Sequence, residues 1–160
     1  MDVENRLLVS YLLSWRGGSQ PRGCGRQELK RIRVLLADDH EAMLERVTRL
    51  LTTECDVVGT AADGQQALEA ARDLKPDVLV IDISMPVLNG IETAHHLKKA
   101  GVEVRIVFLT VHDDPDYARA ALEAGALGYV IKPRMASDLV TAIREAYAGR
   151  LFLSPTLPAL

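Results

Sequence analysis

Residues 76–82 read Pro76-Asp77-Val78-Leu79-Val80-Ile81-Asp82. Four apolar residues in a row, three of them β-branched, stand between a proline and an aspartate. So short a run, bounded this way, predicts a strand rather than a helix. It has no polar face. A strand apolar on both faces must be covered on both, which is the pattern of a parallel sheet between layers of helix.

The same reading extends outward. Apolar runs at 32–37, 57–61, 104–109 and 127–131 predict four more strands. The stretches between them have helical spacing or Ala/Leu-rich composition: 41–53, with Met43, Val47, Leu50 and Leu51 on one face, then 65–74, 90–100, 115–124 and 137–148. Pro76 closes the second helix, while Gly101, Gly125 and Gly149 stop the later ones, and Ser137 or Ala136 stands near the last N-cap. Five β-α units with right-handed crossovers leave few topologies. In such sheets ligands bind beyond the carboxyl ends of the strands.

Those ends carry chemistry. The first strand runs into Asp38-Asp39, the third into Asp82, the fourth into Thr110 and the fifth into Lys132-Pro133. Taken singly, an Asp here is a turn or cap residue, the Thr is strand propensity, and Lys-Pro is a turn. Taken together, they meet at one sheet edge. Three carboxylates would repel one another and raise each other's pKa. A divalent cation relieves this, and all-oxygen ligands with few dedicated protein groups suit Mg²⁺. A carboxylate beside such an ion can attack phosphorus, with Lys132 and Thr110 supplying a cation and a donor to the phosphoryl oxygens.

The remaining sequence sets limits. A chain of 160 residues, 48% hydrophobic and 26% charged, suits one domain with a sizeable core. Two cysteines, Cys24 and Cys55, make neither a disulfide framework nor a metal pattern, and a reducing cytoplasm is expected. Residues 1–33 hold seven Lys/Arg against three acids, a net +4 within a total of −3. That asymmetry fits either a basic arm touching nucleic acid or membrane or, more simply, a solvated flexible leader over 1–31. The breaker-rich 16–26 is a linker. The apolar run at 7–15 contains Ser10 and Ser14, is too short to span a bilayer, and lacks signal-peptide flanks.

Five motifs carry a resemblance: 34–40 (VLLADDH), 76–86 (PDVLVIDISMP), Asn89-Gly90, 107–110 (VFLT) and 125–133 (GALGYVIKP). From about residue 32 to 150 the chain resembles the receiver domain of two-component response regulators. The resemblance implies a flavodoxin-like five-stranded parallel sheet of order 2-1-3-4-5 with helices on both faces. It implies that Asp82 is the phosphoacceptor and that Asp39 ligates Mg²⁺ directly and Asp38 directly or through water, together with Asp82 and the Ser84 backbone carbonyl. Lys132 would pair with Asp82 or its phosphoryl group. Thr110 would move to bond the phosphoryl, and Tyr129 would change rotamer in response. The Lys132–Pro133 bond is often cis in such proteins. The partner implied is a sensor histidine kinase, with a homodimer as a further expectation and no membrane contact.

Segments 88–92, 113–117 and 149–155 resemble the NarL/FixJ type, which continues into a helix-turn-helix DNA-binding domain. The sequence stops at Leu160, leaving no room for one and suggesting a stand-alone receiver, a truncation or an excised piece; residues 151–160 read as a tail or linker remnant. Among alternatives, an aspartyl phosphatase would want a second Asp two residues after Asp82, where Ser84 stands. A flavodoxin-like cofactor binder would want phosphate-cradling donors in place of Asp38-Asp39. A pseudo-receiver, acting without phosphorylation, would not need the full set. His40 reads as a surface residue opening a helix, His95 and His96 as a solvated face, and His112 as a loop residue near the site.

Overall fold

The computed structural model describes residues 30–157; the expectations for the leader and for the last three residues lie outside them. Six strands form one sheet: β1 (Ile32–Ala37), β2 (Cys55–Ala61), β3 (Val78–Ile81), β4 (Arg105–Thr110), β5 (Gly128–Ile131) and β6 (Phe152–Leu153). Their order is β2-β1-β3-β4-β5-β6 and all pairings are parallel. Five α-helices alternate with them: α1 (Glu41–Leu51), α2 (Gly64–Leu74), α3 (Gly90–Lys99), α4 (Pro115–Glu123) and α5 (Met135–Tyr147).

The unbroken apolar character of the strands has a direct cause: each face feeds its own core. In β3, Leu79 and Ile81 pack with Ala67 and Ala71 of α2 and Leu97 of α3 in one cluster. Val78 and Val80 pack with Leu51 of α1 and Leu139 and Ile143 of α5 in the other. Period-two alternation therefore distributes one run between two layers. Each such Leu or Ile, removed from water, contributes about 2–3 kcal/mol.

Helix starts follow local chemistry. Asp63 accepts a hydrogen bond from Gln66 N–H at α2, and Asp114 accepts one from Asp116 N–H at α4, with Pro115 in its first turn. Asn89 and Glu92 make a reciprocal capping box at α3. Because Asn89-Gly90 begins α3, this box also fixes the loop that follows Asp82.

Apart from shifts of one or two residues at other element ends, such as β2 beginning at Cys55, the structure departs from the sequence reading in three places. A sixth strand lies outside β5. Helix α5 begins at Met135, two residues before the expected Ser137, because the 3-10 turn Lys132–Arg134 runs directly into it. Ser137 instead donates its hydroxyl to Arg134 O at 3.0 Å and to Asp138 Oδ1 at 2.8 Å. Lastly, all peptide bonds among the described residues are trans, including Lys132–Pro133. Pro133 sits in the first turn of a helix, where its fixed φ fits and its missing N–H costs nothing, so Lys132 is aimed without a cis bond.

Candidate phosphoacceptor site

The ends of β1, β3 and β5 place three charged side chains together. Asp38 follows β1 and donates its N–H to Ala61 O at 3.1 Å; Asp82 follows β3 and donates its N–H to Ala37 O at 3.0 Å. Both backbones thus continue the sheet ladder, and both side chains are buried, Asp82 at 4% exposure. Lys132, the residue after β5, donates its ammonium to Asp38 Oδ2 at 2.7 Å and to Asp82 Oδ2 at 2.9 Å. Burial alone would lower the Lys132 pKa. The hydrogen bonds and charges of Asp38 and Asp82 outweigh it and hold the ammonium above its ordinary range.

The second oxygen of Asp82 differs from the first. Oδ1 is buried and has no hydrogen-bond partner among the described residues. Leaving such an oxygen unpaired costs about 1–3 kcal/mol, and more when charged. Backbone packing holds it there: Gly90 N–H donates to Ile83 O at 2.8 Å, and a Cβ on Gly90 would fall 2.1 Å from the Asp82 carbonyl oxygen. Glycine is required because α3 begins against the peptide of Asp82.

Asp39 and His40 sit beside this pair. His40 donates its N–H to Asp38 Oδ1 at 2.9 Å. Its Nδ1 lies 3.2 Å from Asp38 Oδ1 and 3.0 Å from Asp39 Oδ1. Asp38, Asp39 and His40 offer ligand atoms that all lie within 4.8 Å of one another. The carboxylates of Asp38 and Asp39, with Asp82 linked to Asp38 through Lys132, are an oxygen-rich donor set that fits Mg²⁺.

The expected switch residues form a second group. Thr110 is fully buried, and its hydroxyl oxygen accepts from His112 N–H at 3.4 Å. Tyr129 is also fully buried and donates its hydroxyl to His112 O at 2.7 Å. Burial, and then the charges of Asp113, Asp114 and Asp82, push the Tyr129 pKa far up. Ser84, whose backbone carbonyl is the expected metal ligand, places Oγ 2.7 Å from His112 Nε2. The His112 ring stacks on Tyr117 at 4.2 Å. His112 is therefore a junction between the loops after β3 and β4. Only its proximity to Thr110 is legible along the chain, since its partner Ser84 is 28 positions away. His95 and His96 are exposed, as expected.

An acidic pair, a buried aspartate and a lysine at the carboxyl edge of a parallel sheet are the arrangement of an α/β receiver domain. The chain matches the response regulator receiver domain family over residues 34–144 and belongs to it. It is 37% identical over 128 residues to the response regulator GacA of Pseudomonas viridiflava, covering 79% of this chain and 60% of that protein. It is 37% identical over 126 residues to the nitrate/nitrite response regulator protein NarL of Escherichia coli, covering 78% and 58%. A LuxR-family two-component response regulator from Aurantimonas superposes with a TM-score of 0.76 at 36% identity, covering 79% of this chain and 92% of that one. The NarL-type resemblance is thus met in both sequence and structure. The chain spans about 60% of the length of these curated relatives. Among the described residues, no helix is long and apolar enough to cross a membrane.

Proposed function

We propose that this chain is a phosphoryl-accepting switch in which Asp82 takes a phosphoryl group from the phosphohistidine of a sensor histidine kinase. The observation that supports this most is the buried Asp82 carboxylate, with Oδ2 on the ammonium that also holds Asp38 and Oδ1 without a partner among the described residues. In that role the carboxylate attacks phosphorus, a P–O bond to Asp82 forms, and the P–N bond of the donor breaks. Its electron pair leaves with the imidazole. Mg²⁺, held by Asp38, Asp39, Asp82 and the Ser84 carbonyl, would supply charge neutralisation for the phosphoryl oxygens.

The protein's own groups do the rest. Lys132 orients Asp82 through its ammonium, then pairs with the added oxygens. Thr110 gives up its contact with His112 N–H and donates its hydroxyl to the phosphoryl group. That movement bears on Tyr129 through their common neighbour His112, so a local charge change reaches the surface around α4 and β5. Receiver domains of response regulators are signalling switches rather than turnover enzymes. The output we infer is control of transcription, by analogy with the relatives named above, in the cytoplasm.

Intact-mass measurement after incubation with acetyl phosphate, with Mg²⁺ or with EDTA, tests the proposal. One added phosphoryl group with Mg²⁺ and none with EDTA is expected. No addition to the folded, Mg²⁺-loaded protein would sink it in favour of a module that acts without phosphorylation.

A further inference from the structure

The segment after α5 returns to the sheet. Phe152 and Leu153 pair in parallel with Gly128 and Tyr129 as β6. Ser154 N–H then donates to Tyr129 O at 2.9 Å, and Leu157 N–H closes a turn onto Ser154 O at 3.0 Å. Leu157 enters the core layer that holds Tyr129, Ala118 and Ala121. Residues 152–157 therefore form a strap along the outer edge of β5.

The strap is fastened by one hydroxyl. Ser154 is 1% exposed. Its Oγ donates to Asp138 Oδ2 at 2.9 Å and accepts the N–H of Ile131 at 3.3 Å. Asp138, 5% exposed, also receives the Arg134 guanidinium through Nε at 2.8 Å and Nη2 at 3.2 Å, and the Ser137 hydroxyl at 2.8 Å. Ile131 is the residue before Lys132, and Arg134 is two residues after it. The contacts Ile131–Ser154–Asp138–Arg134 thus close a ring around the backbone that carries Lys132.

Neither sheet closure nor core burial requires this ring. A two-residue strand could end in any small residue, and a buried carboxylate is costly unless its partners are complete. What the ring does fix is the peptide on either side of the ammonium that bridges Asp38 and Asp82. We propose that Ser154 and Asp138 are positioning residues for Lys132, so that strap docking and the phosphoryl state of Asp82 are energetically coupled. This inference rests on the reading of Asp82 as phosphoacceptor. Coupling is reciprocal: if the docked strap favours the phosphoryl-bound site, the phosphoryl-bound site tightens the strap.

The test uses the full chain with beryllium fluoride and Mg²⁺, a phosphoryl mimic that binds an aspartate without turnover. Affinity is measured by calorimetry for wild type, Ser154→Ala, Asp138→Asn and Arg134→Gln, at a temperature where each is folded. Arg134 is 37% exposed, so its variant opens the ring without a buried change. All three variants should bind about fivefold more weakly than wild type, and hydrogen exchange at 152–157 in wild type should slow when the mimic binds. Equal affinities with unchanged exchange, even with lowered melting temperatures, would overturn the inference and leave the strap a structural edge cover. A wild type that fails to bind would overturn the Asp82 reading itself, and this inference with it. The two failures are told apart by the wild-type titration alone.

Discussion

Two buried aspartates, Asp82 and Asp138, are almost equally hidden and oppositely furnished. Asp138 has both oxygens occupied, by a guanidinium and two hydroxyls. Asp82 has one oxygen on Lys132 and the other with no partner among the described residues. A satisfied buried carboxylate contributes to the fold. An unsatisfied one costs stability, and the fold retains that cost where an incoming group would relieve it. The contrast separates a site from a brace where burial and residue type cannot.

The contrast can be broken most severely at Lys132. Lys132→Met leaves Asp38 and Asp82 facing each other without their cation and should cost about 3–5 kcal/mol in urea unfolding. Added Mg²⁺ should recover more stability for that variant than for wild type. Gly90→Ala comes next: its Cβ would strike the Asp82 carbonyl, and a loss of about 3 kcal/mol is expected by the same assay.

The two Asp→Asn exchanges should move stability in opposite directions without metal. Asp138→Asn removes charge-assisted bonds and should lose about 2 kcal/mol, whereas Asp82→Asn ends the repulsion between the Asp38 and Asp82 carboxylates, leaves Lys132 its bond to Asp38 and should gain about 1 kcal/mol. A loss in both would erase the distinction. A smaller effect sharpens it with pH. Asp138 is held below the ordinary carboxylate range, chiefly by the Arg134 hydrogen bond. A lowered folded-state pKa adds stability above the unfolded value and loses it as pH falls through the folded one. Urea midpoints of wild type and Asp138→Asn should therefore converge below about pH 4.

How far each aspartate could be read from sequence follows from the same physics. Asp82 ends a run whose apolar pattern marks a central strand, and Asp38, Asp39, Thr110 and Lys132 stand at equivalent places in theirs. Strand ends of one parallel sheet share an edge, so position along the chain converts directly into proximity. Asp138 offers no such signal. It lies in the first turn of a helix whose start was displaced by the Lys132–Arg134 turn, and Ser154 lies beyond a strand of two residues, too short for periodicity to mark. The Ser84–His112 contact was hidden for a related reason: it joins two loops, and loops carry no register. What the sequence supplied were groups placed by repeating structure; contacts made between irregular segments appear only with the fold.

The most direct measurement is phosphoryl addition to the two asparagine variants side by side, by intact mass with acetyl phosphate and Mg²⁺. Asp138→Asn should gain one phosphoryl group, as wild type does, and Asp82→Asn none. Addition to Asp82→Asn, or to neither folded variant while wild type is modified, would contradict the assignment of the unpaired aspartate as the acceptor and the paired one as a support.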